Sequence, residues 1–176
     1  FNEGSGTSVA DSSGNGAPLN LSIGNAGNVT WGSGSLTVNS NTVISSGSPA
    51  SKIISAAQAT NTLTFEVWVT AANTTQTGPA RLMTISQDRD NRNVTLGQGA
   101  TASATTAYNG RIRSTSTTNN GVPNVDTPSG LATTTLKHVV MTSANGVTTL
   151  YVDGVQVSSG SIGGNFSNWN SNYPLA

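Results

Sequence analysis

Residues 63–69 read Leu-Thr-Phe-Glu-Val-Trp-Val, which sets Leu63, Phe65, Val67 and Val69 against Thr64, Glu66 and Trp68. Side chains of an extended chain point alternately to its two faces, so this pattern predicts a half-buried β-strand with one apolar face. A lone strand of this kind is not stable. Its apolar face needs neighbouring strands and a second layer to cover it.

Candidate partners recur along the chain. Residues 81–87 place Met83 and Ile85 on one face, and residues 93–97 do the same with Val94 and Leu96. The polar run Asp88-Arg89-Asp90-Asn91 between them predicts a hairpin with a solvated tip. Residues 136–142, 147–152 and 155–157 are three β-rich runs joined by Asn145-Gly146 and Asp153-Gly154. Type I′ turns need positive φ at both central residues, which these pairs tolerate, so an antiparallel meander is expected. Shorter strands are expected at 19–23 and 29–38, with Gly32 and Gly34 marking a bulge or sharp bend. Only residues 50–60 suit a short helix, too brief to form a layer. The expected fold class is therefore all-β, a two-sheet antiparallel β-sandwich with one core, and residues 1–176 read as a single domain.

Only 8% of residues are charged, against about a quarter in ordinary soluble domains, and Ser, Thr, Asn and Gly fill the polar positions. Disorder is the rival reading of such a chain, but the periodic apolar segments oppose it. The net charge is zero and the seven basic residues are scattered along the sequence, so neither nucleic acid nor an anionic membrane surface is an expected partner. No run is long and apolar enough for membrane insertion. With no cysteine, disulfides and thiolate metal sites are excluded. The chain opens at Phe1 without an initiator Met, and a processed or partial piece is expected.

Several segments in order resemble the concanavalin A-like lectin/glucanase superfamily, and within it the bacterial laminin-G-like jelly-roll domains. They are Phe1-Asn2-Glu3-Gly4-Ser5-Gly6-Thr7, Asp11-Ser12-Ser13-Gly14-Asn15-Gly16, Phe65-Glu66-Val67-Trp68-Val69, Lys137-His138-Val139-Val140 and Leu150-Tyr151-Val152-Asp153-Gly154-Val155. Stretches at Gly78-Pro79-Ala80-Arg81, Arg92-Asn93-Val94-Thr95-Leu96-Gly97-Gln98 and Gly164-Asn165-Phe166-Ser167-Asn168-Trp169 resemble a bacterial subgroup found as modules of larger secreted proteins. The resemblance implies a concanavalin A-like jelly roll and an extracellular or cell-surface location. Related domains continue past a segment like Tyr173-Pro174-Leu175-Ala176 through closing strands, which implies a domain truncated at both ends. A downstream segment or a protein neighbour would then complete the sheets.

The fold hosts lectins, glycosidases, adhesion modules and spacers, so function must come from individual residues. Glycoside hydrolysis needs two carboxylates facing each other across a sugar. The seven acidic residues include no closely spaced Glu-x-Asp-x-x-Glu strand motif, and no catalytic residue is assigned. His138, the single histidine, alternates with Leu136 and Val140 and is expected to be a packed, hydrogen-bonded side chain rather than a triad member. Residues 11–16 place oxygen-bearing side chains at alternate positions followed by glycine. This is either an ordinary turn or half of a calcium loop in which Asp11 supplies charge and Asn15 a neutral oxygen.

A glycan site usually needs an aromatic face for the sugar's C–H surface together with convergent amides and carboxylates. Trp68 and Glu66 share the strand face opposite Phe65, so Trp68 either meets a sugar or is covered by a loop. Arg111 and Arg113 share a face by alternation, and would meet Glu66 across the sheet or bind a ligand. The leading expectation is a non-catalytic, lectin-like module for glycan recognition or adhesion, with Trp68, Glu66, Arg111 and Arg113 as ligand contacts and calcium at Asp11 and Asn15. The alternative is a structural spacer or assembly subunit, and a hydrolase ranks below both.

Overall fold

The computed structural model describes residues 1–100 and 103–176. The strands run in chain order as β1 (Ser8–Val9), β2 (Leu21–Ile23), β3 (Val29–Gly32), β4 (Ser35–Val38), β5 (Ile44–Ser45), β6 (Thr62–Val69), β7 (Ala80–Ser86), β8 (Arg92–Gln98), β9 (Tyr108–Ile112), β10 (Val125–Asp126), β11 (Lys137–Ala144), β12 (Val147–Val152) and β13 (Val155–Ser161). An α-helix, α1 (Ser51–Thr60), precedes β6, and a single 3-10 turn (Ala26–Asn28) leads into β3. Two four-stranded antiparallel sheets carry the core, ordered β13-β12-β11-β6 and β10-β9-β8-β7. Strands β1, β2 and β5 form a small third sheet, and β3 and β4 a separate hairpin. The all-β sandwich predicted from alternation is the observed architecture.

The core is the inward half of each alternation. From the first sheet come Phe65, Val139, Met141, Leu150 and Val152; from the second come Ile85, Val94, Leu96, Tyr108, Ile112 and Val125. Phe166, Trp169 and Tyr173 of the C-terminal segment pack into the same cluster. Where the sheets come closest, a side chain has no room. A Cβ at Gly110 would stand 2.8 Å from the Met141 Sδ, and one at Gly160 would stand 2.9 Å from a Val125 methyl.

Local chemistry sets the connections. Asn145 and Gly146 have φ of 52° and 75°, and Asp153 and Gly154 have 52° and 81°, so both pairs adopt the left-handed conformation that their turns require. Helix α1 ends at Asn61, whose φ of 53° lets its N–H donate to the Ala57 carbonyl, while Ile54 and Ala57 are buried. Gly32 and Gly34 mark neither a bulge nor a bend within a strand. Gly32 pairs with Ser35 at the end of β3, and Gly34, with φ of 69°, lies in the tight turn into β4. The register shifts occur instead at Arg81/Met83 and Ile85/Ser86 in the β7–β8 pair, and at Leu150/Tyr151 in β12–β13. At the other end of the chain, Thr84 on β7 exchanges backbone hydrogen bonds with Ala176, at 2.7 and 2.9 Å.

Leu150 is fully buried opposite Met141 and faces the gap at Gly110. Leu150→Ala is expected to cost about 3 kcal/mol through lost burial and the cavity left behind. Thermal unfolding should show a midpoint lower by roughly 6–12 °C. Val147→Thr, on the exposed end of the same strand, should change stability by less than about 0.5 kcal/mol.

Candidate functional site

Burying Phe65 and Met141 turns the intervening side chains of the first sheet outward. The β6–β11 register pairs Trp68 with His138, and Glu66 with Val140, which lies opposite Tyr151 on β12. Trp68 is 64% exposed. Its ring stacks on that of His138 with centroids 4.4 Å apart and planes 15° from parallel. The His138 Nε2 lies 2.8 Å from the Glu66 Oε1, so a carboxylate fixes the imidazole that supports the indole. The His138 backbone N–H donates to Asp153 at 3.0 Å, and Lys137 Nζ donates to the other oxygen of that carboxylate at 2.8 Å. Those two donors, the ammonium first, hold the Asp153 carboxyl below its ordinary range.

The outer face is otherwise uncharged near this cluster. Thr64, Thr142, Thr149 and Ser159 form one cross-strand row, with the Thr149 and Ser159 hydroxyls 3.1 Å apart. The ensemble offers an aromatic plane, a carboxylate acceptor and a field of hydroxyls, the set of groups that a sugar's two kinds of surface would meet. Trp68 is not covered by a loop, and His138 does not lie in the core. Their β6–β11 pairing places them side by side on the outer face.

Arg111 and Arg113 belong to the other sheet, so neither meets Glu66. Arg111 donates from Nε to Asn109 Oδ1 at 2.9 Å and from Nη1 to Asn120 Oδ1 at 3.0 Å. Asn109 in turn donates to Asp126. Arg113 lies just past β9, and its carbonyl accepts the Trp169 indole N–H. Arg81, Arg89, Arg92 and Arg111 line one cleft along β7–β9, so four of the seven basic residues, scattered in sequence, converge in space. That convergence and the support of Trp68 by His138 are the two site features that sequence reading missed. Both depend on which strands pair.

The loop at 11–16 also has a defined partner. Asp11 accepts the Lys52 ammonium and the Leu19 N–H on Oδ2, the latter at 2.8 Å, and the Ser13 N–H on Oδ1 at 2.9 Å. Lys52 Nζ further donates to Ser13 Oγ at 3.0 Å and to the Asn15 carbonyl at 2.8 Å. The oxygens that a calcium ion would need thus converge on a protein cation from the first turn of α1, and Asn15 contributes its backbone rather than its side chain. No group of three or more His, Asp or Glu side chains is placed to hold a metal among the described residues. At the β7–β8 tip Asp88 accepts the backbone N–H groups of Asp90 and Asn91, both at 2.8 Å, and closes the turn as a solvated hairpin tip.

A laminin G model described as the concanavalin A-like lectin/glucanases superfamily matches residues 46–176. The match takes in both main sheets and Trp68, Glu66, His138 and the four arginines, while the loop at 11–16 lies outside it. No curated protein matches the chain in sequence.

The Lys52 ammonium, followed by the Leu19 N–H and the Ser13 side chain and N–H, holds the Asp11 carboxyl far below its ordinary value. A depressed folded-state pKa contributes stability that is present above the unfolded value, about 3.9 for aspartate, and is lost as pH falls below it. In chemical denaturation followed between pH 5 and 2, Asp11→Asn and Lys52→Gln should each flatten the fall in stability below about pH 4. An unchanged acid limb would show that the pair is not formed in solution.

Proposed function

The chain belongs to the concanavalin A-like lectin/glucanases superfamily, and from that premise we propose that it is a non-catalytic, lectin-like module of a larger secreted or cell-surface protein. Its ligand on this reading is a neutral glycan, held on the outer face of the β6–β11 pair for recognition or adhesion. One observation carries the proposal: Trp68 is 64% exposed yet stacked on His138, beside the Glu66 carboxylate. An exposed indole held in one orientation has its conformational cost met in advance, which favours binding. Glu66 would accept a sugar hydroxyl, and the hydroxyl row would exchange water-mediated contacts with the same ligand.

The carboxylates support the absence of catalysis. Hydrolysis needs a second carboxyl about 5–10 Å from the first across the bond to be broken. Glu66 has His138 as its partner, while Asp153, Asp126 and Asp11 are tied to Lys137, Asn109 and Lys52. Calcium enters this reading as an ion that must displace Lys52 from the loop oxygens, which a calcium titration followed by thermal unfolding measures directly.

A second reading, an assembly subunit, is favoured by one feature. Among the described residues strand β6 ends its sheet with no strand on its outer side, and beside it Leu63, Ile53 and Met83 remain only half-buried in a cleft of about 1230 Å³. Open strand edges of this kind pair with further strands.

On a glycan array the chain should select a small set of uncharged oligosaccharides. Calorimetry with the best of them should show Trp68→Ala weakening binding at least tenfold, about 1.4 kcal/mol, and Glu66→Gln weakening it less. No turnover of a β-glucan is expected from either protein. A uniformly blank array would sink the recognition claim and leave the assembly reading.

A further inference from the structure

A place for one more strand lies between β5 and β7, and it is partly filled. Residues 174–176 run antiparallel beside β7: Thr84 bonds to Ala176 in both directions, the Ser86 N–H donates to the Pro174 carbonyl at 3.3 Å, and Leu175 pairs with Ile85. On their other side the Ser46 N–H donates to the Leu175 carbonyl at 2.8 Å, and Pro49 pairs with Pro174, again antiparallel. These residues therefore lie as a strand between two walls. Beyond the Thr84–Ala176 pair the walls run on as residues 80–83 and 42–45, which line one cleft. Among the described residues no strand lies between them, since β7 ends its sheet and β5 ends the small third sheet.

This slot has two faces of different chemistry. Met83 and Leu175 line the inner cleft together with Ile53 and Leu63, whereas Thr84, Pro174 and Ala176 line the outer one. That division is the alternation of an extended chain, so an added strand would send its side chains by turns into each cleft. The inner four are half-buried and apolar. The outer cleft carries Arg81, Arg89, Arg92 and Arg111 against Asp90, which Arg89 already holds at 3.2 Å. Open edges supply main-chain hydrogen bonds to any sequence, and the pockets for alternate side chains select among sequences. A strand seated here gains such bonds from both walls.

We propose that the slot binds an extended segment of another polypeptide, antiparallel to β7, with apolar side chains toward Met83 and Leu63 and acidic ones toward Arg81. Residues 80–83 offer about 13 Å of wall, so the segment is short. The proposal deepens the assembly reading by naming what a neighbour would supply, and it leaves the Trp68 face free.

The test is calorimetry on the full chain with three peptides: acetyl-Val-Glu-Val-Glu-Val-Thr-amide, the same peptide with Lys for Glu, and the Glu peptide with N-methylated valines. The Glu peptide should bind at least about tenfold more tightly than the Lys peptide, and N-methylation should abolish binding. Arg81→Glu, at an exposed position, should narrow the preference for Glu over Lys to about threefold or less. Amide hydrogen exchange should slow at 42–45 and 80–83 when the Glu peptide is bound, and Trp68→Ala should leave the affinity unaltered. No binding at millimolar concentration, undiminished binding of the N-methylated peptide, or protection confined to β6 would each overturn the proposal. Sedimentation velocity separates this failure from that of the assembly reading, because self-association without peptide binding keeps that reading and overturns the slot.

Discussion

The pairing of β6 with β11 fixes everything that matters on the outer face. Phe65 lies opposite Met141 and Val67 opposite Val139, and all of these side chains pack toward the second sheet. A slip of β6 by one residue in this register would send Phe65 and Val67 into water while Met141 stayed inside, so burial selects a single alignment. The same alignment obliges Trp68 to sit beside His138. The exposed aromatic pair is therefore a by-product of the core, held by the same interactions that keep Leu150 and Val152 in place one strand further on.

A second constraint is the scarcity of charge. With 8% charged residues, the chain satisfies its polar groups through hydroxyls and amides. Thr84 and Thr95 share a hydrogen bond of 2.6 Å where an ion pair would be difficult to desolvate, and Asn93 exchanges two bonds of 2.8 Å with the backbone of Asn170. The Asn93 pair ties β8 to the C-terminal segment that delivers Trp169 and Tyr173 to the core. Against so neutral a background, each charge that remains has a readable task. Lys52 gathers the oxygens of the loop at 11–16, and Lys137 holds the Asp153 turn beside His138.

These two constraints explain what could be read from sequence. Alternation at 63–69, the Asx-Gly turns of the meander and the short helix before β6 are local signals, and local physics decides them. The outward placement of Trp68 and Glu66 follows from the same alternation. Its support by His138 does not, because that contact joins residues seventy apart through a register no local pattern encodes. Arg81, Arg92 and Arg111 likewise meet only because β7, β8 and β9 are neighbours in one sheet. Arg111 and Glu66 failed to meet for the complementary reason. Each was placed correctly on its own strand, but the strands belong to different sheets. The glycines at 32 and 34 were legible as a change of direction and not as a turn, since a bulge and a two-residue hairpin turn share the same residue preferences.

The sandwich thus separates two chemistries that would interfere if they shared a face. Sheets packed face to face stand roughly 10 Å apart, so side chains on the two outer faces do not touch. On one side lies an aromatic platform whose Glu66 carboxylate is hydrogen-bonded to the His138 imidazole and whose neighbouring Asp153 is paired with Lys137. On the other lies an arginine cleft in which Asn109 and Asn120, rather than carboxylates, hold Arg111. Amides orient a guanidinium without neutralising it, whereas an aspartate at either position would cancel the positive potential. Keeping Arg92 buried beside like charges lowers stability, and nothing in the core requires a cation there. The cost is confined to one cleft on the second sheet, apart from the Trp68 face and from the apolar core between the sheets.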